Sequence, residues 1–417
     1  MTSTLADLEI ATFAVDEVVE GTLIGRDGPT LVVDPSQLAV GAGQPALAEA
    51  TVEVVRPGDP VRIANVLDAV LPDVRADDPA RTFPGALGTL SPAGTGRLHR
   101  LEGVAVLSVC DWHAGGDVVP DEFPDSFVDM DGPAASLSPW GSTTNVVLRF
   151  VPAPGAPVAD VDRAIRRSTL GVARGLAETT LGGEPDHVTA HRSAGSADPD
   201  LPAVVAILQV ASEGPLADTY FYGAPMQGAV PSVADAREIL GGALVNGAYD
   251  WPSVRNQTAT YQGSALVREL LSADGERLRF AGLILALGYL DTAFEKQRSA
   301  MLSARLARSL GAQAAVCTTF SSGNSHTDTM LTVRALERSG IATAAIVAET
   351  NGGLTDHVPE ADCVISAGNE DEMVSSWVPR RVLGSDDSCR SGEAVPTWAY
   401  LGATVQTGDG WLRAVPA

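Results

Sequence analysis

The sequence predicts an α/β protein: a mixed α/β N-terminal half with a β-rich start, followed by a C-terminal doubly wound parallel-sheet unit. Three patterns support this prediction. Residues 5–33 alternate apolar and polar side chains, which is typical of strands. Residues 91–245 mix short apolar runs with one long amphipathic pattern. Residues 276–370 alternate strand and helix patterns, which indicates βαβ units.

The first region, residues 1–90, is expected to open as antiparallel β structure. Asp27 and Gly28 stand between two alternating runs and predict a hairpin. Two more short strands are predicted at residues 51–55 and 61–66.

The second region, residues 91–245, is expected to be mixed α/β. Its main predicted elements are a strand at 104–109, an amphipathic helix at 158–179 and a buried strand at 203–210. Ser232, with Asp235 three residues later, resembles a capping box and predicts a helix that runs to residue 244. The polar and aromatic stretch 245–263 lacks a regular pattern, so the main boundary is placed there.

The third region, residues 246–417, contains the first candidate for a ligand site. Apolar runs at 314–317 and 341–348 flank a helical pattern at 328–339. The polar loop 318–327 between them lies outside the carboxyl end of a strand and faces the positive end of a helix, where open α/β sheets bind ligands. In the tail, Gly408 to Gly410 predict a C-terminal β hairpin.

Composition excludes several classes of protein. The chain has 417 residues, 45% of them hydrophobic, and a net charge of −24. This charge disfavours nucleic acid and anionic membranes as partners, because both require a basic face. No apolar run approaches the roughly 18 residues of a membrane span, and no basic segment followed by an apolar one opens the chain. The sequence therefore predicts a cytoplasmic protein.

The spacing of the cysteines and histidines does not predict a metal-binding site. The four cysteines show no CxxC spacing, which disfavours structural zinc and a disulfide framework. His187 and His191 would share one face of a helix and could then bind a metal together. However, Val188 stands where a zincin motif requires Glu, so a solvated or structural pair is the preferred interpretation.

Several short motifs resemble, in the same order along the chain, those of a known family. They are RPGDPVRI (56–63), FPG (83–85), GTGRLHRLEGVAV (94–106), DMDGP (129–133), DTYFYG (218–223), EKQRSAM (295–301), GNSHTD (323–328) and SAGNEDE (366–372). The chain resembles the α/β-subunit proprotein of component B of glycine, sarcosine and betaine reductases, to which the D-proline reductase proprotein is related. The motifs run in the same order from residue 56 to residue 372.

The resemblance implies a substrate class, a partner and a set of binding residues. In this family component B captures a small amino acid through a pyruvoyl group, and a selenocysteine on a separate subunit attacks the α carbon. The resemblance therefore implies an amino acid-like substrate, a partner related to the selenoprotein component, and an oligomeric assembly. The motif residues expected to bind substrate are Arg97, Asp129, Asp131, Asp218, Tyr222, Gly323, Asn324 and Asn369.

The chain departs from the family where the pyruvoyl group is made. Family members form it by cleavage before a cysteine in a segment similar to residues 242–249, and no cysteine is there. Ala248 and Tyr249 cannot form the required ester, and Ser253 follows Pro252 in a different context. We therefore predict no cofactor and no pyruvoyl group.

Any chemistry that the chain retains is expected from the loop after residue 317. Cys317 and His326 could form a nucleophile pair with Asp328 nearby, although an inert buried thiol and a loop histidine are the preferred interpretation. The first hypothesis is a component B-like enzyme subunit that acts on a C–N bond. The alternatives are a non-catalytic scaffold or regulatory subunit, and a metal-dependent or Cys/His-dependent hydrolase or transferase.

Overall fold

The computed structural model of the chain describes residues 7–38, 40–41, 43–112, 126–192, 198–214, 216–320, 323–350, 361–375, 377–384, 392–404 and 413–415. Its strands and helices confirm the mixed α/β class that the sequence predicts. Within these ranges, no helix combines the length and the apolar character needed to cross a membrane.

The elements follow one another in this order. The strands are β1 (Leu8–Ala14), β2 (Glu17–Glu20), β3 (Gly25–Asp27), β4 (Thr30–Val33), β5 (Leu47–Val55), β6 (Val61–Ala64), β7 (Val66–Val70), β8 (Asp73–Arg75), β9 (Gly96–Glu102), β10 (Val104–Cys110), β11 (Phe127–Asp129), β12 (Thr144–Pro152), β13 (His187–His191), β14 (Ala203–Ala211), β15 (Ala217–Phe221), β16 (Ala224–Pro225), β17 (Ser232–Ala234), β18 (Leu244–Ala248), β19 (Arg279–Gly288), β20 (Ala314–Thr318), β21 (Ala342–Glu349), β22 (Cys363–Asn369), β23 (Met373–Val374), β24 (Arg381–Leu383), β25 (Val395–Pro396) and β26 (Arg413–Val415). The α-helices are α1 (Val158–Ala177), α2 (Ala236–Leu240), α3 (Thr258–Gly263), α4 (Ala265–Ala273), α5 (Ala293–Ser309) and α6 (Gly323–Glu337).

The N-terminal strands belong to several small sheets. β1 lies between β9, to which it is parallel, and β13, to which it is antiparallel. β2 and β4 are also parallel neighbours. The expectation of an antiparallel start is therefore wrong in part, because alternation of side chains reports which face is buried and not the direction of the neighbouring strand. The hairpin at Asp27 and Gly28 is confirmed by the antiparallel pairing of β3 with β4.

A seven-stranded sheet organises the second half of the chain. Its order is β17-β19-β14-β20-β21-β22-β26, with five parallel strands from β19 to β22 and antiparallel strands at both edges. Helices cover both faces: α2 and α4 pack on one, α5 and α6 on the other. The doubly wound unit is therefore present. Its strand β14 comes from residues before 245, so the sheet takes strands from both sides of the predicted boundary. The division into three regions stays a prediction.

Two predictions around residues 232–263 are wrong. Helix α2 is capped by Asp235, with Glu238 completing the capping box, and Gly241 follows its last residue. Ser232 instead pairs with Leu285 at the edge of the sheet. The stretch 245–263, predicted to be irregular, forms most of β18, the 3-10 helix Pro252–Val254 and α3. Gln257, Thr258 and Gln262 have buried side chains that form hydrogen bonds, and sequence polarity alone does not distinguish them from residues of a surface loop.

The βαβ unit at residues 314–349 is confirmed, but its helix begins earlier than predicted. α6 starts at Gly323, so Asn324 and His326 lie in its first turn and not in a loop. The predicted tail hairpin is wrong for the residues that are described. Residues 397–399 form a 3-10 helix, and β26 pairs with β22. Gly408 to Gly410 lie outside the described residues.

Candidate functional site

The carboxyl ends of the parallel strands define one edge of the seven-stranded sheet. β14 ends at Ala211, and the chain continues past β19 and β20 with Tyr289 and Phe320. These residues pack around Ala248, the last residue of β18; Ala211, Ala248 and Phe320 are buried and Tyr289 is partly buried. We refer to this region as the carboxyl edge. Open α/β sheets bind ligands there, so it is the first candidate for a functional site.

The guanidinium of Arg255 is buried at the carboxyl edge. Its side chain is 2% exposed, and its guanidinium carbon lies 4.8 Å from the ring centre of Phe320 and 5.0 Å from that of Tyr289. Nη2 donates to Oε2 of Glu213 (3.2 Å), and Nε donates to the carbonyl of Asp250 (3.1 Å). Burial lowers the pKa of Arg255 and raises the pKa of Glu213. Among the described residues Nη1 has no hydrogen-bond partner, so it can still donate to a ligand.

Gln209 fixes the chain that follows β20. Its Nε2 donates to the carbonyl of Ser325 (2.8 Å), and its Oε1 accepts from the backbone N–H of Phe320 (3.1 Å). Gly288 on the neighbouring strand leaves the space for this side chain, because a Cβ there would lie 2.4 Å from Cδ of Gln209. These contacts hold Phe320 and the first turn of α6 against β14.

The segment 242–249 is buried throughout and hydrogen-bonded to an unusual carboxyl group. Oδ1 of Asn246 accepts from the backbone N–H of Ala248 (2.9 Å), and the N–H of Asn246 donates to Oγ1 of Thr258 (2.9 Å). Thr258 in turn donates its N–H and hydroxyl to the two oxygens of Asp68, at 2.8 and 2.7 Å. Burial raises the pKa of Asp68 to about 7. The segment is therefore held in a fixed backbone geometry.

No side chain in this segment is suited to form an ester with the backbone. Ala248 has no heteroatom, and the Tyr249 hydroxyl is fully buried, which raises its pKa well above the ordinary value. Ser253 is also buried, but it lies in the 3-10 helix Pro252–Val254, beyond the strand. The acyl shift that produces a pyruvoyl group requires a Cys or Ser at the cleaved bond.

Lys296 connects α5 to the first turns of α6. It is the only lysine of the chain, and the other 27 of the 28 basic residues are arginine. Nζ donates to Oδ1 of Asn324 (2.5 Å) and to Oδ1 of Asp328 (2.7 Å). Leu290, in the turn before α5, donates its N–H to Asp328 (3.1 Å) and accepts from Asn324 (3.2 Å). Burial raises the pKa of Asp328, and the Lys296 ammonium opposes that shift.

Cys317 and His326 are both buried. Cys317 is 1% exposed in β20, and burial raises the pKa of its thiol to about 12. A thiol in this state is not a nucleophile near neutral pH. His326 is 9% exposed in α6. The assignment of Cys317, His326 and Asp328 to catalysis stays a prediction, and the burial of Cys317 argues against a thiolate.

A cleft of about 610 Å³ lies beyond the carboxyl end of β22. Asn369 and Gly368 line one side of it, and Pro133 and Thr404 are also part of its wall. Asp131 is exposed two residues before Pro133. The structure thus brings Pro133 of the DMDGP motif and Asn369 to the same cleft, and Oδ1 of Asn369 accepts from the backbone N–H of Asp371 (3.0 Å).

Asp129 is engaged in a buried ion pair. It is 0% exposed, and its two oxygens accept from Nε and Nη2 of Arg62 at 2.7 and 2.9 Å. Nη2 of Arg62 also donates to the hydroxyl of Tyr400 (3.2 Å), and the guanidinium lies 4.5 Å from the ring centre of Phe127. The pair joins the RPGDPVRI and DMDGP motifs to residues 397–404. Its geometry supports a structural role for Asp129.

The FPG and DTYFYG motifs also meet in a structural contact. A Cβ at Gly85 would lie 2.0 Å from the carbonyl oxygen of Tyr222, and a Cβ at Gly223 would lie 2.2 Å from the carbonyl oxygen of Gly85. The hydroxyl of Tyr222 donates to Glu238 (2.6 Å) and accepts from the N–H of Ala93 (3.1 Å). Only glycine permits the approach of the two backbones, and Tyr222 is already hydrogen-bonded within the protein.

Asp218 and Arg97 have different surroundings. Asp218 lies opposite Gly247 in the β15–β18 pair and accepts from the N–H groups of Met226 and Gln227 at 3.2 and 3.1 Å. Burial raises its pKa to about 6. Arg97 is half exposed on β9, in a separate sheet, and pairs with Glu9 on β1 at 2.7 Å. Asp218 is thus next to the segment 242–249, whereas Arg97 is not part of the carboxyl edge.

His187 and His191 lie on strand β13 and not on a helix. Both line a cleft of about 360 Å³ that also contains Arg100 and Arg268. Burial and these two arginines lower the pKa of His191 to about 4. Positive charge beside the pair disfavours a metal ion. The described residues contain no group of three or more His, Cys, Asp and Glu side chains arranged to bind one.

Sequence reasoning missed Arg255, Lys296 and Asp68. Lys296 has a signal, since it is the single lysine in an arginine-rich chain. Arg255 lies in the stretch interpreted as a boundary, and Asp68 lies in an apolar run with no motif. Their importance comes from burial and from partners far along the chain, which one sequence does not reveal.

Comparison with known proteins agrees with this arrangement of motifs. A family model described as glycine/sarcosine/betaine reductase component B subunits matches residues 6–396. The chain belongs to this family. No solved structure matches the chain at a significant level.

Component B subunits of three reductase complexes are among its relatives. The chain is 28% identical to glycine reductase complex component B subunits alpha and beta of Peptoclostridium acidaminophilum, over 87% of this chain and 88% of the relative. It is 29% identical to the sarcosine reductase complex component B subunit alpha of that organism, over 81% and 79%. It is also 29% identical to the betaine reductase complex component B subunit alpha, over 96% and 93%.

Proposed function

We propose that the chain is a component B-like subunit of a reductase complex that acts on a small amino acid or amine derivative without a pyruvoyl group. The observation that supports this proposal is the family match over residues 6–396 combined with a segment 242–249 that has no Cys or Ser. The family match supports the component B-like role, and the lack of a Cys or Ser in this segment supports the absence of a pyruvoyl group.

The carboxyl edge offers complementary groups for such a ligand. Nη1 of Arg255 can donate to a carboxylate, while the Glu213 carboxylate can accept from an ammonium group. The rings of Tyr289 and Phe320 add an apolar wall beside them. A zwitterionic amino acid presents both charges within a few ångströms, so one molecule can satisfy both groups.

A reductive reaction at a C–N bond requires a partner. Cleavage of that bond consumes two electrons and two protons, and the bond electrons leave with the amine. We propose that a subunit related to the selenoprotein component of the family supplies the attacking group and the electrons. The relatives' names describe components of complexes, which supports a hetero-oligomer.

The single lysine allows a direct test of ligand binding. Protein labelled with 15N-lysine gives one backbone cross-peak, from Lys296 at the start of α5. We expect glycine, sarcosine or betaine to shift this cross-peak in a saturable way. An Arg255→Met variant should lose the shift for a ligand that carries a carboxylate, whereas the exposed Arg163→Met control should keep it. No shift with any of the three ligands would contradict the proposal.

The second candidate is a non-catalytic scaffold or regulatory subunit of such a complex. The burial of Cys317 and the commitment of Asn324 and Asp328 to Lys296 favour it. In this case the single variants His326→Ala and Asn324→Ser should leave the activity of the assembled complex unchanged. A large loss of activity in a variant whose unfolding midpoint is unchanged would contradict it.

A metal-dependent or Cys/His-dependent hydrolase or transferase has less support. The thiol of Cys317 has a pKa raised to about 12 by burial, and arginines lie beside the His187 and His191 pair. Elemental analysis of the purified protein tests the metal part of this alternative. Less than about one bound metal ion per chain would leave it without support.

A further inference from the structure

A groove of about 480 Å³ runs between α5 and α6 on the outer face of the sheet. Its floor is apolar: Ala300 and Ala304 are buried, and Met301 and Leu331 are among the residues that line it. Small side chains on the floor allow another backbone to approach closely. A second polypeptide could therefore place an apolar side chain between the two helices.

Four exposed arginines surround this groove. Arg305 and Arg308 come from α5, Arg334 is on α6, and Arg338 follows it directly. Within the described part of the chain, the side chains of Arg305, Arg308 and Arg338 form no ion pair. A positive charge near the C-terminal end of a helix offsets the helix dipole. Arg308 supplies this charge for α5 and Arg334 supplies it for α6. Arg305 and Arg338 are further positive charges that the helix dipoles do not explain.

The concentration of positive charge is unusual for this chain. The protein has 28 basic and 52 acidic residues, so its long-range field is negative. Nucleic acid would be repelled by that field and has no use for the apolar floor. An acidic polypeptide can make short-range contacts with the arginines, since salt screens the remaining charges beyond about 8 Å.

The exposed face of α5 extends the groove with further apolar surface. Phe294 is 71% exposed and Met301 is 50% exposed, seven residues apart and therefore on the same side of the helix. The guanidinium of Arg298 lies 5.9 Å from the ring centre of Phe294. This face thus alternates large apolar side chains with arginines over the whole length of α5. A helix that presents both is suited to a partner that is acidic and apolar.

We propose that the groove between α5 and α6 binds an acidic segment of another protein, which inserts at least one large apolar side chain between Met301 and Leu331. The arginines lie near the C-terminal ends of both helices, whereas Lys296, Asn324 and Asp328 lie near the N-terminal ends. About nine residues separate Lys296 from Arg305, or roughly 14 Å along the helix. A partner can therefore occupy the groove without covering the carboxyl edge. This proposal is independent of the proposed function.

Binding of designed peptides to the full-length protein tests the proposal. The probe is a fluorescent helical peptide of about 16 residues with Leu at every fourth position and Glu at most of the others. We expect saturable binding that weakens by at least about tenfold in an Arg305→Glu/Arg338→Glu variant, since charge reversal places like charges in the interface. The matched control is Arg163→Glu/Arg277→Glu, which reverses two exposed arginines elsewhere and should bind as the wild type does.

Two further peptides and one hydrodynamic measurement complete the test. A peptide with Ser in place of Leu should bind more weakly, and one with Lys in place of Glu should not bind. Equal binding of the Leu and Ser peptides, equal binding by both double variants, or no binding of the acidic Leu peptide would overturn the proposal. A homodimer that sedimentation detects in the wild type and not in Arg305→Glu/Arg338→Glu would also overturn it, because the occupant would then be a second copy of the chain.

Discussion

At the scale of residues, several motif side chains are engaged with other groups of the protein. Arg62 binds Asp129, and Lys296 binds both Asn324 and Asp328. Removal of one member of a buried charged pair leaves the other without compensation, which costs more than the pair itself contributes. These contacts are therefore explained in large part by stability, whereas Nη1 of Arg255 at the carboxyl edge has no hydrogen-bond partner among the described residues.

We expect Lys296→Met to lower the free energy of unfolding by about 3 kcal/mol, because Asp328 would keep a buried charge without a counter-ion. Lys296→Arg should also destabilise, since a planar guanidinium does not fit between Asn324 and Asp328 as a compact ammonium does. The double variant Lys296→Met/Asp328→Asn should recover part of the loss. Urea unfolding measures all three. A change below about 0.5 kcal/mol in Lys296→Met would show that the pair is not stabilising.

Asp68 makes a specific contribution to the pH dependence of stability. Burial raises its folded-state pKa from 3.8 to about 7, so the folded protein binds a proton more tightly than the unfolded chain. The stability from this proton is fully present below pH 3.8 and is lost as the pH rises towards 7. In Asp68→Asn this loss is absent, so the variant should gain stability relative to wild type by up to about 1.4 kcal/mol per pH unit across that window. Urea unfolding at several pH values checks this, and parallel pH profiles would contradict it.

At the scale of elements, close backbone contacts join distant parts of the chain. Gly85 and Gly223 both have positive φ, of 79° and 75°, and each faces the backbone of the other's motif. The β18 segment is fixed in a similar way through Thr258 and Asp68. Such contacts hold the motif loops in one arrangement and leave no space for side chains.

We expect Gly85→Ala and Gly223→Ala to destabilise by more than about 2 kcal/mol each, through positive φ and a backbone clash together. Gly155→Ala is the matched control, because Gly155 has φ of 72° and a Cβ added there would have no neighbouring atom within 4 Å. It should cost only about 1 kcal/mol for the backbone conformation. Thermal and urea unfolding compare the three variants. Equal effects in all three would mean that the approach of the two backbones is not tight.

Sequence patterns were sufficient for some elements and insufficient for others. The amphipathic spacing of 158–179 and the apolar runs of the 314–349 unit depend on local periodicity, and both elements are confirmed. The insertion of β14 between β19 and β20 depends on pairing between residues far apart in sequence. Asn246 and Thr258 are buried beside a partner from a distant part of the chain, Asp68, so their polarity wrongly indicated a loop. For the same reason Arg255 had no signal.

At the scale of the whole molecule, the chain belongs to the component B family, and its segment 242–249 contains no cysteine or serine. The segment is buried and ordered, and its last strand residue Ala248 packs at the carboxyl edge beside Phe320. We therefore propose that a small molecule is recognised at that edge and that a partner subunit supplies the missing chemistry.

The mass of the intact protein tests this proposal most directly. We expect one species near 43.1 kDa that does not react with hydroxylamine or borohydride, because no Cys or Ser in the segment 242–249 can start the cleavage. Two fragments divided near Ala248, one of them with a ketone-reactive N-terminus, would contradict it and would restore the pyruvoyl chemistry of the family.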